Sequence, residues 1–138
     1  MVIGAVLIPG ALAPKLVSND LVAAMKPGSV LVDIAVDQGG CFEDTHPTTH
    51  ADPTYRVHES TFYCVANMPG SVPNTSTWAL TNATLPYAVH LADKGWQQAM
   101  RDDAALAEGL STHAGEVVYA PVAQAHGLSH RDLAEVLA

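Results

Sequence analysis

Positive charge is scarce in these 138 residues, with six Lys and Arg against fourteen Asp and Glu and a net charge of −8. A nucleic-acid partner requires clustered cations to meet its phosphates, and the few here are scattered, so none is expected. Charge of either sign is also low, at 14% against 49% hydrophobic residues. That composition excludes a disordered chain and supplies enough apolar surface for a core. Cysteine is limited to Cys41 and Cys64, which form no C-x-x-C pair and no disulfide framework. Each sits beside an apolar strand, as reduced thiols do in a cytosolic protein. No apolar run approaches the roughly 18 residues needed to span a bilayer. The sequence has no internal repeat, and no G-x-G-x-x-G follows its first strand, so a complete phosphate-cradling turn is missing.

What is present begins with Val2–Ile8, a continuous apolar run stopped by Pro9-Gly10. Such a run fits a strand covered on both faces of a parallel sheet. The opening also looks like a signal peptide ending in Ala-x-Ala, but it lacks the basic start, and the reading preferred is a chain that enters in mid-domain. Ser18 then offers an N-cap to a short helix carrying Leu21, Val22 and Met25, ended by Lys26-Pro27-Gly28. Ser29–Val36 is expected as a second strand and Thr61–Ala66 as a third, with a polar, ordered excursion over Cys41–Ser60. Strand, crossover helix and strand over some 30 residues form a βαβ unit, which implies a right-handed parallel arrangement. Beyond Pro73 the pattern is helical. A helix is expected over Thr75–Lys94, kinked or broken at Pro86, another over Trp96–Glu108, and shorter ones near Val117–His126 and Ser129–Leu137.

Ligands of open parallel sheets bind at the carboxyl ends of the strands. Those ends carry Asp33, Asp37, Gln38 and Asn67 beside Gly or Pro turns. Asp33 interrupts an apolar strand. It is either functional or a carboxylate that caps nearby backbone N–H groups, because burying it unpaired costs several kcal/mol. Asp37 is either a site residue or a solvated turn aspartate, and Asn67 has the same two readings. Among seven histidines, His46 and His50 are four apart with Pro47 between, and His126 and His130 enclose Gly127. Neither pair has helical ligand geometry or a companion cysteine or carboxylate cluster, so no metal is expected.

Long segments resemble bacterial alanine dehydrogenases. They are Val2–Gly10, Ala13-Pro14-Lys15-Leu16-Val17, Met25–Gly40, Pro47-Thr48-Thr49-His50, Tyr63–Gly70 and Thr75–Thr84, with weaker similarity to Gly109-Leu110-Ser111-Thr112. The α subunit of proton-translocating transhydrogenase is similar in the first part and departs at Asp37-Gln38-Gly39-Gly40 and Val65–Pro69. The resemblance implies the second half of a Rossmann-like doubly wound parallel sheet, followed by helices of a substrate domain. It implies NAD as cofactor and oxidative deamination of L-alanine to pyruvate and ammonia. By the same resemblance Val6, Leu7, Ile34, Ala35, Val36, Asp37, Val65, Ala66, Asn67 and Met68 face the cofactor. Asp37 matches a catalytic aspartate, and Asn67 also meets substrate. His46 stands where relatives have a cofactor-binding arginine.

On the family's plan, residues 1–73 are the C-terminal half of the NAD-binding domain and 74–138 the helical return to the substrate domain. The remaining catalytic groups of the family match nothing in this chain. The expected partners are therefore a missing N-terminal part or full-length subunits, in a cytoplasmic homo-oligomer, a hexamer by family. Alone, the chain is expected to be inactive. The competing reading is a non-catalytic subunit or nucleotide-binding module related to the transhydrogenase α subunit.

Overall fold

Three parallel strands frame residues 1–72 of the computed structural model, which describes the whole chain, Met1–Ala138. They are β1 (Val2–Gly4), β2 (Val30–Asp33) and, after β3 (Thr54–Val57), β4 (Ser60–Tyr63). β3 pairs antiparallel with β4, giving the order β1-β2-β4-β3. The register sets Gly4 opposite Asp33 and Val32 opposite Tyr63, so β1, β2 and β4 end at one rim. Helix α1 (Asn19–Ala23) makes the first crossover, and the Ser18 hydroxyl accepts from the Leu21 N–H at 3.3 Å. That bond satisfies one of the donors a helix start leaves free.

One face of this sheet is core. Leu31 and Phe62 are fully buried beneath Val22 of α1 and beneath Val36 and Phe42 of the chain that follows β2. The rings of Phe42 and Phe62 meet edge to face with centroids 5.9 Å apart. Each such side chain, fully buried, contributes about 1.5–3 kcal/mol. The other face is open: Ile3 is 56% exposed, and Val32 and Tyr63 beside it in register are half-buried.

The structure corrects several expectations. β1 stops at Gly4 rather than Ile8, and Val2 and Ile3 are exposed, so this strand is not covered on both faces. Its pairing ends because β2 itself ends at Asp33, the last rung being Ile34 N–H to Gly4 C=O at 2.7 Å. β2 does not continue to Val36, since residues 36–38 form a 3₁₀ turn. β4 ends at Tyr63 rather than Ala66. The polar excursion contains β3, whose Tyr55 and Val57 face inward while Thr54 and Arg56 stay exposed.

Residues 73–138 form a second compact unit, the first being Met1–Val72. It opens with α2 (Pro73–Lys94), a single 22-residue helix that contains Pro86 without ending there. Its apolar residues Trp78, Leu80, Leu85 and Val89 are all exposed. The expected helix over Trp96–Glu108 is two, α3 (Trp96–Asp102) and α4 (Ala104–Ala107), divided at Asp103, whose carboxylate accepts from the N–H groups of Ala105 and Leu106. A two-stranded hairpin, β5 (Thr112–His113) and β6 (Glu116–Val117), precedes α5 (Ala120–His126) and α6 (Leu133–Leu137). These replace the longer helices read near Val117–His126 and Ser129–Leu137. Ala99, Met100, Ala107, Val118, Ala123 and Val136 form the buried interior.

Candidate functional site

The segments leaving β1 and β2 at the common rim enclose a cavity of about 280 Å³, lined by Ala5, Val6, Leu7, Ile34, Ala35, Asp37 and Gln38. Five residues marked in the sequence are thus brought together: Val6, Leu7, Ile34, Ala35 and Asp37. Their apolar walls explain why the hydrophobic run outlasts β1. Ala5 to Leu7 are apolar because they line a cavity, not because a strand continues. Asp37 is exposed on the 3₁₀ turn, while Val36 is 5% exposed, belongs to the core and does not line the cavity. Ala5 joins the lining without having been singled out, and Gln38, marked in the sequence as a polar residue at this strand end, joins it as well. Its Oε1 is buried without a hydrogen-bond partner, and such an atom needs an explanation.

Asp33 is fully buried and is met by donors from five directions. Oδ1 accepts from Ala35 N–H at 3.0 Å and faces the Cys41 thiol at 3.4 Å. Oδ2 accepts from Cys41 N–H at 2.9 Å, Phe42 N–H at 3.4 Å and the Thr45 hydroxyl at 2.6 Å. Of the two readings open in the sequence, the backbone-capping one describes what is seen. Burial, then the negative charge of Asp33, pushes the Cys41 thiol above its ordinary value. Burial also raises Cys64 and Tyr55, whose hydroxyl lies 3.4 Å from Cys64 Sγ and donates to Asp44 C=O at 2.9 Å. Both cysteines are free and buried, so neither is poised as a nucleophile.

Val65 to Met68 continue from β4 at the same rim and do not line the cavity. Val65 is buried and packs in parallel beside Thr48. Asn67 caps the 3₁₀ turn Met68–Ser71, its Oδ1 accepting from Gly70 N–H at 3.1 Å, and its carbonyl lies 2.6 Å from His50 Nε2. His46 stacks on Tyr55 with centroids 3.7 Å apart. No group of three or more His, Cys, Asp or Glu has the arrangement to hold a metal ion, and no helix is long and apolar enough to cross a membrane.

A mostly parallel sheet with a lined cavity at its carboxyl rim defines an α/β domain of the nucleotide-binding kind. Over residues 1–120 the sequence matches the family described as alanine dehydrogenase/PNT, C-terminal domain, and the chain belongs to that family. It is 64% identical over 138 residues to an alanine dehydrogenase of Mycolicibacterium smegmatis, covering all of this chain and 37% of that protein. It is 60% identical over 137 residues to one of Halomonas elongata, covering 99% and 37%. The chain thus spans about 37% of the length of these curated relatives, in their C-terminal part. A solved L-alanine dehydrogenase superposes with a TM-score of 0.71 at 51% identity, over 99% of this chain and 35% of that one. A transhydrogenase from Sinorhizobium meliloti matches 55% of this chain and 22% of its own at a TM-score of 0.50 and 33% identity.

Proposed function

We propose that this chain is the cofactor-side portion of an NAD-dependent L-alanine dehydrogenase, acting in the conversion of L-alanine, NAD and water to pyruvate, ammonia and NADH. The observation that carries this reading is the rim cavity. It gathers Val6, Leu7, Ile34, Ala35 and Asp37 in one lining, in a chain 64% identical to an alanine dehydrogenase. At about 280 Å³ it lies at the small end of ligand sites. It suits the nicotinamide end of a dinucleotide rather than the whole molecule. The apolar side chains of Val6, Leu7, Ile34 and Ala35 suit the faces of a ring.

When bound there, NAD supplies a hydride acceptor for the α-carbon of alanine. The residues of this chain do the rest of what their positions allow. Val6, Leu7, Ile34 and Ala35 exclude water from one side of the ring. Asp37, exposed at the mouth, holds or takes up a proton beside the reacting carbon. Val36 contributes through its backbone, Val65 to Met68 border the site from β4, and Asn67 reaches substrate through the side-chain NH₂ that its Gly70 bond leaves unused. Residues 1–73 are assigned to the C-terminal half of the NAD-binding domain and 74–138 to the return into the substrate domain. The rest of the enzyme supplies the remaining acid/base and carboxylate-anchoring groups, within a cytoplasmic homohexamer.

Grafting this chain in place of the matching segment of the Mycolicibacterium smegmatis relative tests the reading. The graft is expected to reduce NAD in the presence of L-alanine. Asp37→Asn in the graft is expected to lower kcat by about 10²–10⁴-fold, the range for a lost acid/base group. The isolated 138-residue chain is expected to show no turnover, because hydride transfer needs the partner groups held in place. A folded graft without alanine-dependent activity refutes the proposal.

A further inference from the structure

We propose that Asp33 and Lys15 are positioning residues that jointly fix the loop carrying Asp37. This deepens the reading of Asp37 as the catalytic carboxylate and rests on it. The loop from Ile34 to Phe42 leaves β2 and must present Asp37 while its flanks stay buried. Asp33 collects its amides: Ala35 N–H at the near end, and Cys41 and Phe42 N–H at the far end. One buried carboxylate therefore closes both ends of the loop. The Thr45 hydroxyl at 2.6 Å extends the same hold past Phe42.

The loop's carbonyls are collected separately, by the segment that follows β1. The Lys15 ammonium donates to Gly39 C=O at 2.5 Å and to Phe42 C=O at 3.0 Å. Ala13 N–H donates to Gln38 C=O at 2.9 Å and Leu16 N–H to Cys41 C=O at 2.7 Å. An anion thus takes three N–H groups of this stretch and a cation two of its C=O groups, and charge-assisted bonds of this type are the strong ones. The stretch has no slack for an alternative. Gly39 and Gly40 have φ of +90° and +73°, and a Cβ on Gly40 would lie 2.7 Å from Asp33 Oδ2. Asp37 sits between the two ends so fixed, so its place is set by groups that touch neither cofactor nor substrate.

Solution NMR on the full 138-residue chain tests this with Asp33→Asn, which keeps shape and removes charge, and with Lys15→Met. In both variants amide exchange at Cys41 and Phe42 is expected to rise roughly 10- to 100-fold, the factor for losing hydrogen bonds to a charged group. Thr61 and Phe62 should keep their rates. The readout that separates positioning from mere support is the pair of Asp37 resonances, amide and side-chain carboxyl, which are expected to move toward those of an unstructured aspartate. Unchanged Asp37 resonances in both variants overturn the proposal, whether or not exchange accelerates. If Asp33→Asn does not fold, Thr45→Val removes a single bond to the same carboxylate and is read in the same way alongside Lys15→Met. Titration with NADH judges the underlying reading separately. Absence of NADH-induced shifts at Val6 and Ala35 in the unaltered chain counts against the cofactor site, while the Asp37 resonances still decide the positioning role.

Discussion

Gly4→Ala adds one methyl group to the chain and should cost far more than a methyl group usually does. Gly4 is the last residue of β1, paired with Asp33, and its carbonyl accepts from Ile34 N–H at 2.7 Å. Its backbone therefore cannot retreat without breaking the rung from which the cavity loop departs. A Cβ built there lies 2.2 Å from Cys41 Sγ and 2.8 Å from Phe42 Cζ. Neither neighbour has room to yield, since Cys41 is 1% and Phe42 2% exposed, and the Phe42 ring is set edge-on against Phe62. Overpacking of this kind costs about 1–3 kcal/mol, and two close obstacles place this case at the upper end. A unit of this size loses roughly 4–8 °C per kcal/mol, so the midpoint of Met1–Val72 should fall by roughly 12–24 °C. Tryptophan fluorescence is the wrong probe, because Trp78 and Trp96 both lie in Pro73–Ala138. NMR signals of Tyr55 and Tyr63, both in Met1–Val72, report the unit concerned. Adding Cys41→Ala removes the nearer obstacle and should recover about 1 kcal/mol or more beyond additivity. A single variant within about 0.5 kcal/mol of the parent, with an additive double variant, would refute the packing argument.

Three further outcomes are expected. Cys41, Cys64 and Tyr55 all titrate higher in the folded chain than their ordinary values of 9.0, 9.0 and 10.0. A raised folded value gives stability that is complete below the ordinary value and lost above it, so urea midpoints of Met1–Val72 should hold to about pH 9 and fall beyond. Flat midpoints through pH 11 would contradict this. Gly40→Ala puts a Cβ 2.3 Å from Thr45 Cγ2 at a φ of +73°. It should cost about 2–4 kcal/mol in denaturant titrations and lower NADH affinity, whereas Gly28→Ala, at φ +81° with nothing nearby, should cost only about 1 kcal/mol. Asp103→Ala removes the cap of α4 and should destabilise Pro73–Ala138 by about 1 kcal/mol, read by Trp96 fluorescence with Met1–Val72 unaffected.

The βαβ frame was legible because apolar runs bounded by Pro and Gly are the usual mark of buried parallel strands. The strand ends were not legible, because Ala5, Val6 and Leu7 are apolar for the sake of a cavity, and periodicity does not tell a cavity wall from a strand. β3 was hidden in a stretch of His, Thr and Pro, although the alternation of Thr54, Tyr55, Arg56 and Val57 was there to be counted. The division at Asp103 was marked by an N-cap residue that the apolar spacing of Trp96–Glu108 overrode. For the site, the residues pointed to one rim, but choosing between a capping and a functional Asp33 needed its five donors in view. No pattern of residue types predicts that Gln38 would turn an unpaired oxygen inward.

The β3–β4 hairpin sets a timetable for folding. Val57 pairs with Ser60 across His58 and Glu59, His58 having a φ of +50°, so this pair closes a two-residue loop and can form in about 1–10 μs. The β1–β2 pair instead waits for the whole segment from Ala5 to Ser29 to close, and parallel, non-local pairing is slow. Substitutions at Tyr55 or Val57 should therefore slow folding, while Gly4→Ala should mainly speed unfolding. The β2–β4 pair waits likewise for Ile34 to Glu59 to close, so the rim cavity lies between strands that meet only after the hairpin. Its ligand would bind, and hold together, a late-forming part of the sheet.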